Sequence, residues 1–182
     1  MKSREEILVE ELKRGDRGAQ RELYDRHSAS LMAIAVRYLG SRDEAEDLLH
    51  DAFIKIFDSV RGFRYRGEGS LKAWLSRIVV NRSLEELRRQ GRNKVVPLDD
   101  MPPMLEAEPS PMSGVPGDVI LQFIAELPEG YRTVFNLFCV EGYSHREIAK
   151  ELNINEKSSS SQLLRAKRLL TTKIKSYIET HE

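Results

Sequence analysis

Residues 144–170, SHREIAKELNINEKSSSSQLLRAKRLL, decide the fold, because they read as two helices joined by a tight turn. Ser144 stands three residues before Glu147, the spacing of a capping box that satisfies the free amides of a helix start. Ala149 is small enough to lie under a crossing helix, and Asn153 falls where the turn needs a residue tolerant of positive φ. Ile154 plugs the corner, and Asn155 can cap the second helix. That helix is a basic rod: between 157 and 175 there are cations at 157, 165, 167, 168, 173 and 175, and no acid. In a chain whose formal net charge is zero, such a rod suits a phosphate backbone.

The charge is segregated elsewhere too. Residues 61–94 hold ten basic and three acidic groups, whereas 95–131 hold seven acids and no base, so separate surfaces should meet separate partners. The one cysteine, Cys139, excludes an internal disulfide framework and any multi-thiolate metal site. Within the apolar run VFNLFCV it reads as a buried small hydrophobe, not a reactive thiol. No apolar run approaches the roughly 20 residues that span a bilayer, and the charged N-terminus lacks a signal-peptide core. A soluble, cytoplasmic protein is expected.

Helical periodicity is widespread, and strand alternation is missing. Helices are predicted over about 4–13, ending at Gly15, and about 18–39, ending at Gly40. A third follows the i, i+3, i+4 rule through Ala45, Leu48, Leu49, Ala52, Phe53, Ile56, Phe57 and Val60. A loop at 62–69 should lead into a fourth helix, about 71–89, capped by Ser70. Six of the seven prolines then fall between Pro97 and Pro116, with four acids and no base, a composition that builds no core. A second helical unit begins near Asp118; Pro128 suits a helix start, and Gly142 ends that helix. The fold class is therefore all-α: one helical domain over 1–95, an acidic proline-rich flexible linker over 96–117, and a second helical domain over 118–182.

Residues 61–92, RGFRYRGEGSLKAWLSRIVVNRSLEELRRQGR, carry a second candidate interface. Arg64, Arg66, Arg77, Arg88 and Arg89 are interleaved with Phe63, Tyr65 and Trp74, and Asn81 lies among them. Cations track phosphates, aromatic faces stack on unpaired bases, and an amide can bond a base edge, so the set suits single-stranded or melting DNA. Taken singly, Phe63 and Trp74 read as core residues; the cluster as a whole favours nucleic acid. The third helix has an acidic side, with Asp43, Asp47, Asp51 and Asp58 beside His50 and with Lys55 as the exception. Such a strip repels DNA and should face a basic protein surface.

These blocks together resemble the bacterial RNA polymerase sigma factors of the extracytoplasmic-function (ECF) group, the short kind with only the second and fourth conserved regions. The resemblance covers about 18–92 and 118–174 and rests on EAEDLLHDAFIKIF (44–57), WLSRIVVNRSLEELRR (74–89) and LPEGYRTVFNLFCVEGYSHREIAKELNI (127–154). It implies a promoter-specificity subunit that binds core polymerase, both β and β′ subunits, and reads two promoter elements. On that likeness Asp47, His50, Asp51 and Lys55 meet core polymerase, though His50 and Asp51 stand where glutamine and glutamate are usual. The loop at 62–70 resembles the one that captures a flipped minus-ten base. Phe63, Arg64, Tyr65, Arg66, Trp74, Arg77, Asn81, Arg88 and Arg89 would bind and melt that element. Arg146, Lys157, Ser158, Ser160, Ser161, Gln162, Leu164, Arg165 and Arg168 would face the minus-thirty-five groove or its phosphates. Ser158–Ser161 replace the usual Thr-Val, basic residue and Ser, and Gln162 replaces an arginine. The family often has an anti-sigma partner, membrane-anchored, that occludes both domains. The linker would thread polymerase channels as an acidic mimic of nucleic acid.

A stand-alone helix-turn-helix regulator with an N-terminal sensing or dimerisation domain is the alternative. It has no need of base-stacking groups beside arginines at 61–92. Catalysis is not expected: His27, His50, His145 and His181 are scattered without partners at ligand spacing, and GEG is too short to cradle a phosphate. No cofactor or metal is implied.

Overall fold

The computed structural model describes residues 2–91 and 115–181, so most of the acidic, proline-rich stretch lies outside the described residues. Among those described, every regular element is helical. The chain divides into two compact units, Met1–Glu86 and Leu87–Glu182.

Capping chemistry sets out the helices of the first unit. Ser3 caps α1 (Arg4–Lys13), its hydroxyl accepting from the Glu6 amide. Gly15, at φ +79°, turns the chain, and Asp16 caps α2 (Arg17–Leu39) by accepting from Ala19 at 2.8 Å. The helix thus starts one residue before the predicted Gly18, because an aspartate not read as a cap precedes it. Gly40 closes α2 in the left-handed conformation that lacks a Cβ penalty, its amide donating to Val36. Ser41 opens α3 (Arg42–Ser59), which runs into a single 3-10 turn, Val60–Gly62. After a loop, α4 spans Ser70–Arg89.

The expected apolar stripe of α3 is buried through Ala45, Leu48, Leu49, Ala52, Phe53 and Ile56. It shares the core with Leu8 and Leu12 of α1, Leu23, Leu31, Ala35 and Tyr38 of α2, and Leu71, Leu75 and Val79 of α4. Each fully buried leucine contributes about 1.5–3 kcal/mol by leaving water.

The second unit is built from α5 (Gly117–Ala125), α6 (Glu129–Phe135), α7 (His145–Leu152) and α8 (Glu156–His181). Ile124, Leu127, Tyr131, Ala166 and Leu170 form its core, with Ile120, Phe123, Phe135 and Leu169 packed at the edge. Arg132 is buried at the α5–α6 corner, where its guanidinium donates to the carbonyls of Ala125 at 2.6 Å and Leu127 at 3.2 Å. A buried cation is tolerated there because it takes up carbonyls that a helix end leaves open.

The helix-turn-helix forms as its sequence indicates. Ser144 and Glu147 complete the capping box, Asn153 takes φ +54°, and Asn155 accepts from the Ser158 amide at 2.7 Å. Two expectations fail. Ser70 does not cap α4; its hydroxyl accepts from the Arg66 amide within the loop. Cys139 is exposed, not buried. It sits in a π turn, Asn136–Val140, and a π turn adds a residue to the helical repeat and so rotates which side chains face inward.

Candidate nucleic-acid and protein interfaces

On α4, Trp74, Arg77, Asn81 and Arg88 are spaced by three, four and seven residues, so they line one side of the helix. Arg77, Asn81 and Arg88 are exposed and Trp74 is half-buried, while Leu71, Leu75, Val79 and Leu87 occupy the buried side. At the N-terminal end of this row opens a recess of about 450 Å³, lined by Phe63, Arg64, Arg66, Ser70, Trp74 and Arg77 among others. An aromatic wall among three guanidinium groups offers a stacking face and phosphate contacts together.

Two of the residues expected to meet DNA are placed differently. Phe63 is 8% exposed and packs at a tilt against Trp74, ring centroids 4.8 Å apart, so it backs the recess and offers little of its ring to a base. Tyr65 is half-buried, and its hydroxyl lies 2.7 Å from that of Ser3, which takes up its polar end. Arg64, Arg66 and Arg89 are exposed as expected.

The acidic side of α3 is also a row. Asp47, His50, Asp51 and Asp58 are exposed, and between them stands Ile54, 52% exposed. Asp51, Ile54, Lys55 and Asp58 share a recess of about 470 Å³ with Arg82 and Glu85 of α4. Arg82 reaches Asp51 at 3.7 Å and Glu85 at 3.3 Å, pairs too exposed to add much stability. An apolar side chain ringed by carboxylates has the make-up of a protein-docking centre: burial supplies affinity and the charges supply register. Sequence reading missed Ile54, although its position off the buried stripe is visible in the pattern.

On α8, Lys157, Ser160 and Leu164 are exposed and Ser161, Arg165 and Arg168 half-buried, with Arg146 exposed on α7. The Arg165 guanidinium donates to the Tyr131 hydroxyl at 3.4 Å. Ser158 and Gln162 require correction: at 6% and 4% exposure they face the core and cannot reach a base edge. They begin a row with Ala166, Leu170 and Ile174, every fourth residue, that is buried throughout. Ser159, also buried, holds α7 against α8 through a 2.9 Å contact with His145 Nδ1. Partial desolvation raises the pKa of the Cys139 thiol above its ordinary value, with Lys167 acting the other way. Among the described residues no cluster of His, Cys, Asp and Glu could hold a metal ion, and no helix is long and apolar enough to cross a membrane.

Comparison with known families accounts for both units. Residues 23–93 match the family described as Sigma-70 region 2, and residues 118–170 match Sigma-70, region 4. The chain belongs to the sigma-70 family. Within it, the chain is 28% identical to the ECF RNA polymerase sigma-E factor of Haemophilus influenzae, over 93% of this chain and 95% of that one. Against the ECF RNA polymerase sigma-E factor of Escherichia coli strain K12 the identity is 28%, over 96% of each chain. Against SigM of Mycobacterium tuberculosis it is 28%, over 91% and 82%. A solved structure, "Structure of CnrH in complex with the cytosolic domain of CnrY", superposes with a TM-score of 0.49 at 22% identity, covering 93% of this chain and 96% of that one. This ECF sigma factor is a promoter-recognising subunit of RNA polymerase, and the family's members are initiation factors without catalytic activity of their own.

Proposed function

We propose a division of labour among the surfaces of this sigma factor. The α3 row of Asp47, His50, Asp51, Ile54 and Lys55 docks on core polymerase. The α4 row and the recess at its start take the opened minus-ten strand. Lys157, Ser160, Ser161, Leu164, Arg165 and Arg168 of α8, with Arg146, read the minus-thirty-five duplex. The observation that carries this reading is the row Trp74, Arg77 and Asn81, which ends at an arginine-lined aromatic recess. A reader of closed duplex gains nothing from a stacking face of that kind, which disfavours a stand-alone regulator.

The partners are the β and β′ subunits, promoter DNA and, by family likeness, an anti-sigma factor. The site of action is the cytoplasm, where polymerase works. The functional divisions are 1–95 for polymerase docking and strand opening, 96–117 for the tether and 118–182 for duplex reading. Co-elution with bacterial core enzyme, followed by run-off transcription over a promoter library, tests the whole assignment. A chain that elutes apart from core at low salt, free of any bound inhibitor, would overturn it.

A further inference from the structure

The N-terminal helix reaches the strand-binding loop directly. Glu5 of α1 accepts from the Gly69 amide through one carboxylate oxygen and from the Leu71 amide through the other, each at 3.0 Å. These are amides at the start of α4, where a helix leaves its donors unpaired and its dipole favours a negative group. Ser70, the local residue suited to that task, is engaged with Arg66 instead. Four residues before Gly69, Tyr65 meets the Ser3 hydroxyl at 2.7 Å. Between these anchors, Gly67 and Gly69 take φ +111° and +84°, so the backbone depends on outside contacts to fix its course. The support itself is rigid, since Leu8, Val9 and Leu12 bury α1 in the core at 0%, 2% and 2% exposure. Ser3 and Glu5 both precede residue 23, where the region 2 match begins.

We propose that Glu5 and Ser3 are positioning residues for base capture. They hold the loop and the first turn of α4 so that Arg64, Arg66 and Trp74 face one recess, and they do not touch DNA themselves. The inference rests on the strand-binding role assigned above to that recess. A carboxylate suits position 5 because two acceptor oxygens are needed at once. Glutamine supplies one, alanine none, and aspartate falls short by a methylene.

The test uses full-length chain reconstituted with core polymerase. The probe is a fluorescent single-stranded oligonucleotide carrying the non-template minus-ten sequence selected by run-off transcription. Glu5→Ala is expected to weaken strand binding about tenfold, because ordering the released loop then draws on the binding free energy. It should also compress the preference for the captured base over the other three, while core affinity holds. Glu5→Gln should recover part of both, and Tyr65→Phe, which keeps the ring but loses the Ser3 contact, should weaken binding by about threefold, roughly one neutral hydrogen bond. If wild-type holoenzyme retains the strand and Glu5→Ala matches it in affinity and base preference, the proposal is wrong. It is equally wrong if strand and core affinities fall together, since that is general destabilisation. A wild-type holoenzyme that does not retain the strand removes the recess's role, and this proposal with it.

Discussion

Phe63 lies against Trp74, centroid to centroid 4.8 Å with planes inclined 36°, and of the two Phe63 is buried and Trp74 half-buried. The two rings therefore separate on mutation. Phe63→Ala should destabilise the first unit by about 3–5 kcal/mol, as large-to-small core changes do. Trp74→Ala should lower strand affinity by about 1–3 kcal/mol through lost stacking and leave core binding intact. Permanganate reactivity of the minus-ten region and a thermal melt distinguish them.

Ile54 gives the docking row its apolar centre. Ile54→Ser should weaken core binding by up to about 1.5–3 kcal/mol, the value of burying one aliphatic side chain, with little change in melting temperature because the residue is exposed. Asp47→Arg combined with Asp51→Arg should abolish co-elution altogether. Circular dichroism of both variants should match wild type.

The α8 residues should fall into three classes. Arg165→Ala is expected to cost about 1–3 kcal/mol of discrimination at one base pair. Lys157→Ala should weaken binding across all sequences and reduce the salt slope by about 1. Gln162→Ala should leave the ranking of promoters unchanged, because the side chain faces the core. Competition binding over a minus-thirty-five library at two salt concentrations separates the three.

Acidity should act on the first unit through His27. Burial, with Arg26 next in effect, holds its pKa below the ordinary 6.5. The folded state thus favours the neutral ring, and the stability this confers is complete above 6.5. It is lost as pH falls through that value towards the lowered folded one, where the unfolded chain binds the extra proton. His27→Gln should flatten the pH dependence of the melting temperature in this range. An unchanged slope would show that another group sets it.

Local chemistry made much of this molecule legible in its sequence. The capping box at Ser144, the left-handed Asn153, the Gly40 stop and the apolar stripe of α3 depend on residues within a turn or two of each other. Errors arose where that condition failed. The inward row that starts at Ser158 and Gln162 was hidden by its polar side chains, although its four-residue spacing continues into Ala166 and Leu170. Cys139 escaped because a π turn broke the 3.6-residue count. The Glu5 contacts span 64 and 66 positions, and no single-sequence pattern announces them.

Asn81 and Arg82 are consecutive on α4, yet Asn81 lies in the row assigned to the opened strand, while Arg82 pairs with Asp51 beside the docking row. The helix is a party wall between two tenants. Substitutions that retune promoter choice there will be screened at the same time for fit to polymerase.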